Sequence, residues 1–191
     1  MKTAVYPGSF NPLHIGHLAI LRYLTSEMDF DQVYLIVSPQ NPFKGKDMLL
    51  SGQERFEAAV RAVARHPELK VRVDDIELHM PAPQYTIRTL DALSRREPQG
   101  SFSLVIGADN LQSIRRWRDA GRILTEYGVT VYPRKGYDIE SIRRRLLEEA
   151  AAEPGHPVYR IRTIDAPMVE ISSTEIREGM AAGRDMSAYL M

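Results

Sequence analysis

Short aliphatic runs alternate with helix-patterned segments along all 191 residues, and no other feature restricts the fold as much. The runs Thr3–Tyr6, Gln32–Val37, Val71–Asp74, Ser101–Ile106, Val129–Tyr132 and Tyr159–Ile164 read as strands. Helical spacing of apolar residues occupies His14–Ser26, Ser51–Ala64, Thr86–Arg95, Leu111–Glu126, Ile139–Ala152 and Ser173–Ala182. In the first helix Ile15, Leu18, Leu21 and Leu24 lie largely on one side. A helix between consecutive strands supplies the long crossover that parallel pairing needs. The expected architecture is therefore α/β, with a doubly wound, mostly parallel sheet. Ser51 and Glu54 have capping-box spacing, and Gly183 ends the last helix. The Pro- and Gly-rich stretches at 38–45, 79–84 and 153–157 are too short for domain linkers, so residues 1–191 read as one domain.

Open α/β sheets bind ligands beyond the carboxyl ends of their strands. That rule singles out the loops Pro7–Leu13, Ser38–Lys46 and Gly107–Asn110. The first runs into GSFNPLHIGHL, Gly8 to Leu18. Gly8, Ser9 and Phe10 occupy a strand-to-helix turn, where free amides and the helix dipole favour an anion. His14 and His17, at i and i+3, share a face of the first helical turn, and Gly16 permits a close approach. A metal would need a third ligand that no Cys or HExxH pattern supplies, so phosphate is the better reading of this pair.

Ile171-Ser172-Ser173-Thr174-Glu175-Ile176-Arg177 admits two readings. Ser172 and Glu175 form a capping box, while Ser173, Thr174 and Arg177 at a helix start also suit a polyphosphate. Lys44, in Asn41-Pro42-Phe43-Lys44, reads locally as a solvated loop lysine. Gly107 would let a ring or sugar approach, and Asp109 would accept from ribose hydroxyls. Trp117 is the only tryptophan and stands among Arg115, Arg116 and Arg118. It reads equally as a half-buried core residue or as a platform for a ligand ring.

Composition removes whole classes. Without cysteine there is no disulfide, thiolate nucleophile or cysteine-based zinc site. Twenty-five Lys and Arg balance twenty-five Asp and Glu, which argues against nucleic acid as a partner. No apolar run approaches a membrane span or a signal peptide, so the expected location is cytoplasmic. Walker A, GxGxxG and GxSxG patterns are missing.

Together these residues resemble the HxGH nucleotidylyltransferase superfamily, and within it the nicotinate-nucleotide adenylyltransferase family. The resemblance is carried by Gly8–His17, Tyr85-Thr86, Thr89-Leu90, Gly107 with Asp109, Trp117, Arg134 and Ile171–Arg177. It implies a Rossmann-like nucleotidylyltransferase fold and attack of nicotinate mononucleotide on the α-phosphate of ATP. It further implies that His14, His17, Lys44 and Arg177 are catalytic. Gly8, Ser9, Phe10, Gly107, Ser173 and Thr174 would hold ATP, with Mg²⁺ carried on the triphosphate. Asn11, Lys44, Tyr85, Thr86, Asp109, Trp117 and Arg134 would hold the mononucleotide. Phe43 and Arg88 depart from the family pattern, where His and an acidic residue are common, and this sequence stops at Met191, short of the helical tail usual for the family. Weaker alternatives are a sister enzyme using nicotinamide mononucleotide or phosphopantetheine, and a nucleotide- or RNA-binding module built on the Trp117 region.

Overall fold

A computed structural model describes residues 1–39 and 50–191. The strands are β1 (Lys2–Gly8), β2 (Gln32–Val37), β3 (Val71–Asp74), β4 (Ser101–Gly107), β5 (Val129–Tyr132) and β6 (Ile161–Thr163). The helices are α1 (Ile15–Ser26), α2 (Gly52–Ala64), α3 (Thr86–Arg96), α4 (Ala108–Ser113), α5 (Ala120–Arg122), α6 (Ile139–Ala152) and α7 (Ser173–Ala181). All strand pairs are parallel, in the order β3-β2-β1-β4-β5-β6. The chain winds outward from β1 to β3, then crosses back to β4. The order therefore reverses between β1 and β4, and a crevice opens at their carboxyl ends.

Alternation along the strands divides the core between two faces. Val5, Ile36, Leu104, Ile106 and Val131 point to one face, where Leu90, Leu111 and Leu146 from α3, α4 and α6 cover them. Tyr6, Leu35, Val37, Val105 and Tyr132 point to the other, covered by Leu18, Leu21 and Leu24 of α1 and Ala59 and Ala62 of α2. In α1 the buried stripe runs through Leu18, Ile20, Leu21 and Leu24, and Ile15 is only half-buried.

Three expected elements differ in detail. The segment 111–126 is not one helix. It extends at Trp117, takes a left-handed φ of 52° at Asp119, and resumes as α5 and a π-turn over Ile123–Tyr127. The turn returns Ile123 and Leu124 to the cluster that already holds Leu111 and Ile114; a straight helix would carry them about 20 Å onward. The last strand is shorter than Tyr159–Ile164, because Arg160 N–H donates to Leu124 O of the π-turn. The chain end folds back on α1: Leu190 pairs with His14 in an antiparallel bridge, and the Met191 side chain is buried in the second cluster. Among the described residues no helix is long and apolar enough to cross a membrane.

Leu90 is fully buried whereas Val158 is 78% exposed. Leu90→Ala should cost about 2–5 kcal/mol in urea unfolding, and Val158→Ala less than about 0.5 kcal/mol.

Candidate active site

The turn between β1 and α1 is strained and firmly held. Phe10 has φ 45°, a left-handed conformation that costs a bulky residue about 1–3 kcal/mol. Its buried ring stands edge-on to Tyr6 at 5.5 Å and to His17 at 5.2 Å. Gly8 must be glycine here, since a Cβ would lie 2.8 Å from that ring. The carbonyls of the turn are bound by groups from elsewhere in the chain. Ser38 N–H donates to Gly8 O at 2.9 Å, and Arg55 Nη1 donates to Ser9 O at 2.7 Å. Arg177 Nη1 donates to Asn11 O at 2.7 Å, and Ser173 Oγ to Pro12 O at 3.0 Å. Among the described residues the amides of Ser9, Phe10 and Asn11 donate to no protein group. A turn with its carbonyls occupied and its amides free is suited to an anion.

The two histidines build the start of α1. His14 is the N-cap residue, and its Nδ1 accepts from Gly16 N–H at 3.1 Å. His17 Nδ1 accepts in turn from His14 N–H at 3.2 Å, completing a capping box made of imidazoles. With both Nδ1 atoms accepting, each neutral ring carries its proton on Nε2 and presents it as a donor. The rings stack at 3.8 Å. Burial lowers the His14 pKa to about 4, helped by the positive charge of Arg134. Burial, then His14 and Arg134, push His17 well below its ordinary value. Both are neutral donors at pH 7. Gly16 borders the smaller lobe, and a Cβ there would stand 3.0 Å from the His14 ring, so its lack of a side chain also admits that ring.

Two adjoining lobes, of about 650 and 730 Å³, open on either side of this pair. They share Tyr6, His14, His17, Tyr132, Arg134, Ile171 and Ser172. The larger lobe is walled by the strained turn, Arg55 and the start of α7; the smaller by Asp109, the 133–137 loop and the 166–171 segment. Three buried side-chain atoms lack a hydrogen-bond partner among the described residues: Asn11 Nδ2, Arg55 Nη2 and Asp109 Oδ1. The two donors belong to residues of the larger lobe and the acceptor to a residue of the smaller. Arg55 is 1% exposed, with no carboxylate in ion-pair reach among the described residues. A buried polar group without a partner is costly in isolation, so such groups concentrate where a ligand completes them.

Most candidates named from sequence meet here. Gly8, Ser9, Phe10, Asn11, His14, His17, Arg134, Ser173, Thr174 and Arg177 border the larger lobe, and Asp109 the smaller. Gly107 borders neither lobe. A Cβ there would stand 2.3 Å from Asp109 Oδ1 and 3.2 Å from Arg134 Nε, so the cleared space holds this carboxylate and guanidinium. Trp117 is half-buried against the core cluster of α3 and borders neither lobe. Tyr85 and Thr86, at the start of α3, also lie outside the lobes, with Arg88 and Arg118 5.3 and 5.8 Å from the Tyr85 ring centre. Phe43 and Lys44 fall outside the described residues.

The sequence reading missed Tyr6, Tyr132 and Arg55. Arg55 left a signal: it sits in phase with Ala59 and Ala62 on the buried stripe of α2, where a charge needs a reason.

A parallel sheet of this order with paired imidazoles at its switch point defines a nucleotidyltransferase. A family model described as cytidylyltransferase-like matches residues 5–179. The protein of Bacteroides fragilis (strain YCH46) named probable nicotinate-nucleotide adenylyltransferase is 38% identical over 189 residues, 99% of this chain and 87% of that one. A protein of the same name from Porphyromonas gingivalis is 40% identical over 190 residues, covering 100% and 89%. The chain belongs to the nicotinate-nucleotide adenylyltransferase family. Its fold matches that of Plasmodium falciparum nicotinic acid mononucleotide adenylyltransferase complexed with NaAD at a TM-score of 0.79, over 99% and 90% of the two chains at 18% identity.

The imidazole pair makes folding sensitive to acid. The unfolded chain takes up protons at His14 near its ordinary pKa of 6.5, whereas the folded chain resists them to about 4. Stability is therefore present above the ordinary value and is lost as pH falls through that window. Melting temperature should drop between pH 6.5 and 4, and less steeply in His14→Asn, which caps the helix without titrating there.

Proposed function

We infer that the chain transfers the adenylyl group of ATP to nicotinate mononucleotide, giving deamido-NAD and pyrophosphate. The observation that carries this reading is the division of buried groups without a hydrogen-bond partner: donors in one lobe, in the other the Asp109 carboxylate that Arg134 approaches to 3.6 Å, and neutral imidazoles between them. Such a cleft fits two nucleotides meeting at a phosphoryl group.

In the reaction a phosphate oxygen of the mononucleotide attacks the α-phosphorus of ATP, and the bond to the pyrophosphate oxygen breaks. The nucleophile is already an anion, so no base must remove a proton. Catalysis then consists of alignment and of compensating charge on the leaving group. His14 and His17 serve as neutral Nε2–H donors to phosphate oxygens. The free amides of Ser9, Phe10 and Asn11 form a second set of donors. Asp109 Oδ1 accepts from a ribose hydroxyl. Arg177 and Ser173 act first through the turn they bind, while Thr174 borders the same lobe. Mg²⁺ enters with ATP as part of the substrate; among the described residues no three His, Cys, Asp or Glu cluster as a metal site. The family resemblance, and not the lining of the two lobes, supports Trp117, Tyr85 and Thr86 at the pyridine end and Lys44 on the mononucleotide phosphate; Arg134 borders both lobes.

Pyrophosphate release from MgATP, measured with nicotinate and nicotinamide mononucleotides in parallel, tests the assignment. The expected result is strong preference for nicotinate mononucleotide; turnover of neither overturns the reading. His17→Ala should cut kcat about a hundredfold or more through loss of an oxyanion-type donor. Trp117→Ala should chiefly raise KM for the mononucleotide, in steady-state assays at saturating ATP.

A further inference from the structure

The residues common to both lobes mark the neck where two bound nucleotides would exchange a phosphoryl group, and two of them are tyrosines. Tyr6 lies on β1 and Tyr132 on β5, both facing the α1 side of the sheet. Their rings meet edge-to-face at 5.8 Å, and they are 4% and 6% exposed. Tyr6 continues through Phe10 at 5.5 Å to His17 at 5.2 Å, so the phenols and the imidazoles belong to one ring stack. Arg134 crosses the Tyr132 ring 5.4 Å from its centre. Packing alone would be served by phenylalanine. The two phenols lie within reach of each other, and that of Tyr132 within reach of Arg134, while both residues border the cleft beside the two neutral imidazoles. Burial, then the neighbouring Tyr132, raises the Tyr6 pKa well above its ordinary value, so that hydroxyl stays protonated and can donate.

We propose that the hydroxyls of Tyr6 and Tyr132 are further ligand-contacting groups, donating to a phosphate oxygen of the nucleotide at the neck between the lobes. The proposal rests on the adenylyl-transfer reading for its consequence in turnover, but not for its consequence in ATP binding. Phosphate charge is met there by five groups instead of three: two imidazoles, one guanidinium and two phenols. Four of the five are neutral donors, which can follow charge from the α-phosphate to the leaving pyrophosphate and leave Arg134 the one cation among them.

Tyr6→Phe, Tyr132→Phe and the double variant keep both rings and test only the hydroxyls. MgATP affinity by calorimetry, kcat and KM with both nucleotides, melting temperature, and the near-ultraviolet tyrosine difference spectrum on MgATP addition are compared with the parent. The expected result is about a tenfold loss of kcat/KM for ATP in each single variant, the magnitude of one hydrogen bond. MgATP should bind more weakly in the double variant, with melting unchanged. The parent's tyrosine difference spectrum should disappear in the double variant. Parent-like affinity, turnover and spectrum in all three variants would overturn the proposal. If the parent binds MgATP but turns over neither mononucleotide, the adenylyl-transfer reading fails while the binding and spectral comparison still decides the phenols.

Discussion

The site depends on holding Phe10 in a left-handed backbone conformation. That geometry is unfavourable for a bulky side chain, so it persists only because the surroundings determine it more than once. The ring is buried against Tyr6 and His17, and the neighbouring carbonyls are bound by Arg55 from α2 and by Arg177 and Ser173 from α7. These donors come from positions 46 to 166 residues away in sequence and converge on three carbonyls within the four residues Ser9 to Pro12. Free amides on the cleft side follow from occupied carbonyls on the other. The ISSTEIR segment thus caps α7, holds the turn and borders the cleft at once.

The imidazole pair shows the same economy. Each Nδ1 satisfies a backbone amide at the start of α1, which is what any helix start requires. Meeting that requirement leaves the proton on Nε2. Local helix capping therefore sets the tautomer that a phosphate-binding site needs, and burial keeps the rings neutral. Glycine at 16 serves the ring stack, and glycine at 107 serves the Asp109–Arg134 approach. Both glycines make room for the protein's own side chains.

Much of the fold was legible because its rules are local. Strand and helix periodicity, two of the capping boxes and the glycine stop after α7 depend on neighbours within a few residues. The break at Trp117–Asp119 was not legible, since the apolar spacing there suits a helix and only the shared core cluster requires the turn. The β1–α1 end of the candidate site was legible through His14, His17 and the glycine turn, which lie close together in sequence. Tyr6 and Tyr132 were not: each lies within a strand whose pattern explains it, and only strand order brings them together, while the charge of Arg55 on a buried stripe signals a role without naming the Ser9 and Ser38 carbonyls that it binds.

The sequence by itself determined which segments become strands and helices, that the sheet is parallel, and that a paired-imidazole helix start follows the first strand. Those properties rest on steric preference and hydrogen bonds between near neighbours. Tertiary structure alone decided the remainder: which carbonyls Arg55, Arg177 and Ser173 bind, that Gly107 clears space for Asp109 and Arg134, and that Tyr6 and Tyr132 share a neck with the imidazoles. The reason is physical. A donor with several acceptors available to it acquires one only when packing has removed the others and excluded water from the alternative.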